Sequence, residues 1–116
     1  MEKLEAYERL SSKYLEEAGP LLRKGDATQA GEKLWGAVAA AVKAAAARRG
    51  EGLKTHAELW SFILSLHKEK PGLELRRLFG VADHLHSNFY EDELPLQAVE
   101  GFAEDVRELV AKLEAI

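Results

Sequence analysis

The residues best suited to chemistry in this chain are its four histidines, and two of them sit in one dense polar run, Asp83-His84-Leu85-His86-Ser87-Asn88-Phe89-Tyr90-Glu91. Imidazole changes charge near neutral pH, so its neighbours decide whether it moves protons, binds a ligand or simply packs. On a helix turning about 100° per residue, Leu75, Leu78, Ala82, Leu85 and Phe89 centre on one face. His86 falls inside that apolar stripe with Tyr90 at its edge, whereas His84 falls roughly opposite, beside Arg77, Asn88 and Glu91. The rings of His84 and His86 therefore diverge. An H-x-H spacing chelates one ion from a strand but not from a helix, so no metal is expected at that pair. No motif calls for a cofactor.

A histidine on an apolar stripe needs a hydrogen-bond partner, because an unpaired polar group is costly to desolvate. Tyr90 is one turn away, and Glu32 or His56 could reach it from other helices. Two readings stand open. His86 is a satisfied core histidine that fixes helix register, or it walls a polar pocket and takes a ligand or proton role. His56, just after Thr55, either packs over a loop or points into a pocket between the second, third and fourth helices. Glu32 and Lys43 are eleven residues apart and share a helix face, so they are pocket residues only if that face is covered. His67 lies near a helix C-terminus, where a protonated ring suits the dipole. Trp35 and Trp60 read as core or dimer-contact aromatics, and Trp60 with Leu64 as an exposed apolar patch. Glu91, Asp92 and Glu93 read as a solvated charge run, not as a hydrolytic carboxylate pair.

Five helical segments must position these groups. The first runs from about Lys3 to Lys24, with Leu4, Tyr7, Ser11, Tyr14, Ala18 and Leu21 on one stripe, a kink expected at Pro20 and a stop at Gly25. Asp26 with Gln29 marks the start of the second, which runs to about Arg49 and stops at Gly50. This helix is rich in alanine. Leu34, Val38, Val42 and Ala45 form one face, and Gly36, Ala40 and Ala47 the other, so neighbours can approach closely on both sides. It belongs in the middle of the bundle. Thr55 with Glu58 is a second capping box, opening a helix to about Lys68 along Leu59, Phe62, Ile63 and Leu66. Lys70-Pro71-Gly72 is a turn, followed by a helix from about Leu73 to Glu91. Pro95 fits the first turn of the last helix, whose stripe is Val99, Phe102, Val106, Leu109, Leu113 and Ile116. No segment alternates as a strand does. Short loops favour antiparallel neighbours, so residues 1–116 are expected to form one all-α domain, an up-and-down antiparallel helical bundle of four to five helices.

Composition narrows the function classes. The chain has 116 residues, 47% hydrophobic and 31% charged, with a net charge of −4. That is globular in character and has no global basic field to draw nucleic acid or an anionic membrane. Without cysteine there is no disulfide, thiolate nucleophile or cysteine zinc site. The charged N-terminus does not resemble a signal peptide, and the stretch from Leu34 to Ala47 is too short, and broken by Lys43, to span a bilayer. A cytoplasmic location is expected. One asparagine and two glutamines among many charges lean toward a thermophilic source.

The stretch Gln29-Ala30-Gly31-Glu32-Lys33-Leu34-Trp35-Gly36-Ala37, then Thr55-His56, then Ala82-Asp83-His84-Leu85-His86-Ser87-Asn88-Phe89-Tyr90-Glu91, resembles the PaREP family of archaeal paralogous-repeat proteins. The block from Leu85 to Glu91 is its most specific part. That family is in turn similar to the HEPN superfamily of helical bundles. The resemblance implies a HEPN-like fold, often dimeric, in one of two roles. Some relatives are metal-independent ribonucleases with an arginine, four to six residues, then a histidine; Arg77 and His84 have six residues between them on one helix face, and Arg49 and His56 have the same spacing across a loop. In such an enzyme His84 would be the general acid/base and Arg77 would stabilise the phosphorane charge. Others are nucleotide binders or partners of nucleotidyltransferases.

The preferred expectation is a non-catalytic binding or partner module. It would be homodimeric and take a nucleotide-like or RNA ligand, or a nucleotidyltransferase-type partner, with Glu32, His56, His86, Asn88 and Tyr90 at the ligand. The alternatives are the ribonuclease centred on Arg77 and His84, and a purely structural oligomerising protein.

Overall fold

Residues that favour caps and tight turns divide the chain into its elements. Asp26 accepts the Gln29 N–H through its carboxylate at 3.2 Å, and Gly25 and Gly50 end helices at φ of 86° and 77°, conformations that cost an L side chain dearly. Thr55 and Glu58 form a full capping box: the Glu58 N–H donates to the Thr55 hydroxyl, and the Thr55 N–H to the Glu58 carboxylate. In the computed structural model, which describes residues 2–116, the result is α1 (Glu2–Arg23), α2 (Ala27–Arg48), α3 (His56–Glu69), α4 (Leu75–Glu91) and α5 (Leu96–Glu114), with a 3-10 turn at Pro71–Leu73. Among the described residues there is no strand, so the fold is an all-α bundle. Among the same residues, no helix is long and apolar enough to cross a membrane.

Two boundaries differ from expectation. Pro71-Gly72 takes three residues into a 3-10 turn and Glu74 into a left-handed conformation (φ 58°), so α4 begins at Leu75 and not at Leu73. Pro95 caps α5 from outside at ψ 157° and is not in its first turn. Pro20 lies inside α1, whose end is closed by the Lys24 N–H on the Pro20 carbonyl at 3.1 Å.

The alanine-rich helix α2 touches every other helix, most extensively α1 and then α4 and α5. Twelve of its 22 residues are buried, against only Ser11 and Ala18 in α1, so α2 is the axis and α1 a lateral arm. Small residues permit this. A Cβ on Gly36 would lie 2.8 Å from Cδ2 of Tyr14, and one on Gly31 would lie 3.5 Å from Leu85. Where α1 meets α2, the buried Ser11 hydroxyl donates to the Ala37 carbonyl at 2.8 Å. On the other side of α2, Leu34, Val38 and Val42 join Ile63, Phe79 and Leu109 in one continuous core. Cations close the far end: Arg48 donates to the Leu113 carbonyl at 2.7 Å and Lys112 to the Leu73 carbonyl at 2.8 Å, where helix dipoles favour positive charge.

Candidate functional site: a histidine–carboxylate cluster

Close packing of α2 against α4 sets the first contact. Glu32 and Trp35 are neighbours along α2, and His86 reaches them from α4, so His86 Nδ1 lies 2.9 Å from Glu32 Oε1. The apolar stripe does not seal this histidine: both side chains keep about 30% of their exposure. The capping box fixes the second contact by capping α3 at Thr55, which puts His56 in the first turn beside α4. There His56 Nε2 lies 3.1 Å from Asp83 Oδ1, while the other Asp83 oxygen accepts the Trp60 indole N–H at 3.1 Å. A carboxylate only accepts, so in the neutral rings the proton sits on Nδ1 of His86 and Nε2 of His56. Nε2 of His86 and Nδ1 of His56 then carry lone pairs, and no hydrogen bond among the described residues engages them.

The two pairs meet over Trp35, which is 8% exposed. Its ring centroid lies 5.3 Å from His56 and 5.0 Å from His86, and the imidazoles are 6.0 Å apart. All three planes are within 31° of parallel. Tyr90 stands edge-on to His86 at 5.8 Å and is 74% exposed, the most open large hydrophobic residue described. A hollow of about 220 Å³ adjoins the cluster, sharing Glu32 and Trp35 with it and bounded by Tyr14, Lys33 and Phe89. A larger, open hollow of about 690 Å³ over the outer face of α1, along Ala6, Arg9 and Leu10, holds none of these groups.

Of the expected ligand-binding set, Glu32, His56, His86 and Tyr90 come together. Asn88 does not stand on the solvent face beside His84. It is 2% exposed, and its Oδ1 accepts the N–H groups of Glu93 and Leu94, each at 2.7 Å. The reason is local: Asp92 turns left-handed (φ 51°), the chain doubles back over α4, and the amide satisfies the backbone of that turn. Arg77 and His84 share an exposed face of α4 but lie seven residues, roughly 10 Å of helix rise, apart. Arg77 bonds Glu74 at 2.6 Å, and that carboxylate, with Asp105 and Glu108, raises its pKa further. His84 faces Phe102, with ring centroids 6.1 Å apart. Arg49 is held by both oxygens of Glu69, at 2.8 and 2.9 Å, and not by His56. Lys43 shares the helix face of Glu32 but lies over the Tyr7 ring, 6.0 Å from its centroid. Sequence reasoning assigned no role to Asp83 or to Trp35 as a platform. The 83/86 spacing, one turn on the same helix, was the available signal for Asp83.

Together, fold and site define an all-helical bundle with two carboxylate-paired histidines at the junction of α2, α3 and α4. Residues 6–110 match the family model described as the Archaeal PaREP1/PaREP8 family, and the chain belongs to that family. It is similar to a protein from Sulfolobus solfataricus whose crystal structure is known. The two are 29% identical with a TM-score of 0.81, over 91% of this chain and 94% of that one. No curated protein matches it.

Proposed function

We propose that the protein is a non-catalytic binding module of HEPN-like type, and that its His56–His86 face takes a nucleotide-like ligand through the base. The observation that carries this reading is the pair of carboxylate-oriented imidazoles beside Trp35, edged by an aromatic ring that is 74% exposed. Exposed flat rings stack on bases with little regard to sequence. The fixed imidazole lone pairs and the remaining carboxylate lone pairs accept hydrogen bonds, which suits the N–H donors of a base edge. Phosphate is served less well. Lys33, in the adjoining hollow, is held by Glu17 at 2.8 Å, and the chain carries a net charge of −4.

Trp35 supplies the readout. Trp60 also borders the cluster through its bond to Asp83, so the fluorescence of the unaltered protein reports on the site. Titration with AMP, GMP and the free nucleosides in the presence of EDTA should quench it saturably, and His86→Ala or Tyr90→Ala should weaken binding at least tenfold. No saturation up to about 5 mM of every ligand, a weak limit by the usual affinity scale, removes the reading.

The same reading makes the protein cytoplasmic and homodimeric, with a nucleotidyltransferase-type partner. Sedimentation across concentrations tests the dimer, and a strict monomer counts against it. The ribonuclease reading on Arg77 and His84 is the weaker one, because Glu74, Asp105 and Glu108 surround the guanidinium with charge that repels RNA phosphates. Cleavage of single-stranded RNA that disappears in His84→Ala would reverse this order. Asn88 has no place in the proposed ligand set.

A further inference from the structure

We propose that His56 and His86 form a two-nitrogen site for a late first-row transition ion, Ni²⁺, Cu²⁺ or Zn²⁺. The site draws on α3 and α4, and its remaining coordination positions are open. The proposal goes beyond nucleotide binding and does not depend on it.

The protonation pattern of the two rings suits a metal. An imidazole binds a metal through a bare nitrogen, and metal-binding histidines characteristically give their other N–H to a carboxylate, which fixes the tautomer and raises ligand basicity. His86 and His56 both have such a partner, Glu32 at 2.9 Å and Asp83 at 3.1 Å. Asp83 is itself fixed by the Trp60 indole at 3.1 Å. Two histidines from different helices thus share one arrangement.

The spacing of the rings is compatible with one shared ion. With metal–nitrogen bonds of about 2.1 Å and ring centroids ~1.1 Å further out, two imidazoles on one ion lie about 5 to 6.5 Å apart, from tetrahedral to linear angles. The observed separation is 6.0 Å. If Trp35 stood between the rings in a column, they would be roughly 10 Å apart. The observed triangle of 5.3, 5.0 and 6.0 Å excludes such a column and leaves no ring between the two imidazoles.

The number of protein ligands narrows the class of ion. Among the described residues, no three or more His, Cys, Asp or Glu side chains are grouped to hold an ion. Two imidazoles favour nitrogen-preferring ions over Mg²⁺ or Ca²⁺, and they leave positions for water or an exogenous ligand. Both side chains are partly exposed, so the site has an entry path.

The test uses the intact chain and the metal salt alone. Calorimetric titration with NiCl₂ should give one ion per chain, and Cu²⁺ should bind more tightly than Ni²⁺, and Ni²⁺ more tightly than Zn²⁺. Cu²⁺ should also quench Trp35 at the same stoichiometry. His56→Ala and His86→Ala should each weaken binding at least tenfold, and Glu32→Gln and Asp83→Asn by about tenfold through the lost orienting bond. His84→Ala and His67→Ala should leave it unchanged. Circular dichroism checks each variant, and His86→Gln replaces His86→Ala if the latter unfolds. No binding up to 1 mM of any of the three ions (~4 kcal/mol by the affinity scale) overturns the proposal, as does unchanged affinity in either histidine variant. Binding that depends on His84 instead overturns it too. The nucleotide titration runs in EDTA, so either proposal can fail alone.

Discussion

His86 on α4 and Glu32 on α2 are 54 residues apart in sequence and 2.9 Å apart in the fold. Because both keep about 30% exposure, the pair is worth what a screened contact is worth. A double-mutant cycle with His86→Ala and Glu32→Ala should give a coupling of about 0.5–1 kcal/mol in chemical denaturation. A value near zero would mean that the contact orients the imidazole without stabilising the bundle. A value above ~2 kcal/mol would contradict the half-exposed geometry.

Gly36 is a second coupled position. Replacing a mid-helix glycine with alanine normally stabilises by about 0.5–1 kcal/mol. Here the new methyl would sit 2.8 Å from the Tyr14 ring, so Gly36→Ala should instead destabilise, by about 1–2 kcal/mol. In a Tyr14→Ala background the same substitution should become stabilising. Thermal melts of the four proteins decide this, and the idea fails if the sign is the same in both backgrounds.

Asn88 should prove more important to stability than its polar type suggests. Removing an acceptor that satisfies two N–H groups at 2.7 Å should cost about 2–3 kcal/mol in Asn88→Ala. Asn88→Asp, which retains the acceptor, should recover a good part of that at neutral pH. Equal loss in both variants would point to packing as the cause.

Glu58 sets a pH dependence. The Lys54 N–H, and after it the Thr55 N–H, donate to its carboxylate and hold its pKa below the usual carboxylate range. A depressed folded-state value means that the unfolded chain binds the proton first on acidification. The stabilisation is therefore complete above the ordinary carboxylate pKa and is lost as pH falls through the depressed one. The Tm difference between the native protein and Glu58→Gln should be greatest near neutrality and shrink as the pH is lowered toward 3. A constant difference would show that the capping box is insensitive to ionisation.

Much of the architecture was legible in the sequence because its causes are local. Helix periodicity, the Thr55/Glu58 box, the glycine stops and the small residues of α2 act within a few positions, and those helices and that central axis are what formed. The prediction weakened where a turn consumed residues, at Glu74 and at Asp92. There the backbone conformation depends on what the following segment packs against, and so the face of Asn88 was misjudged.

The sequence by itself determined that His86 would lie on an apolar stripe and would need a polar partner, since an unpaired ring there is costly. It named Glu32, Tyr90 and His56 as candidates without choosing among them. Only the tertiary structure made the choice. The crossing of α4 over α2 gave His86 to Glu32, and the start of α3 gave His56 to Asp83. The indole of Trp35 brought both rings together. These contacts span 21 to 54 positions in sequence. Periodicity assigns each residue to a helix face, but which faces meet is decided by packing over the whole core.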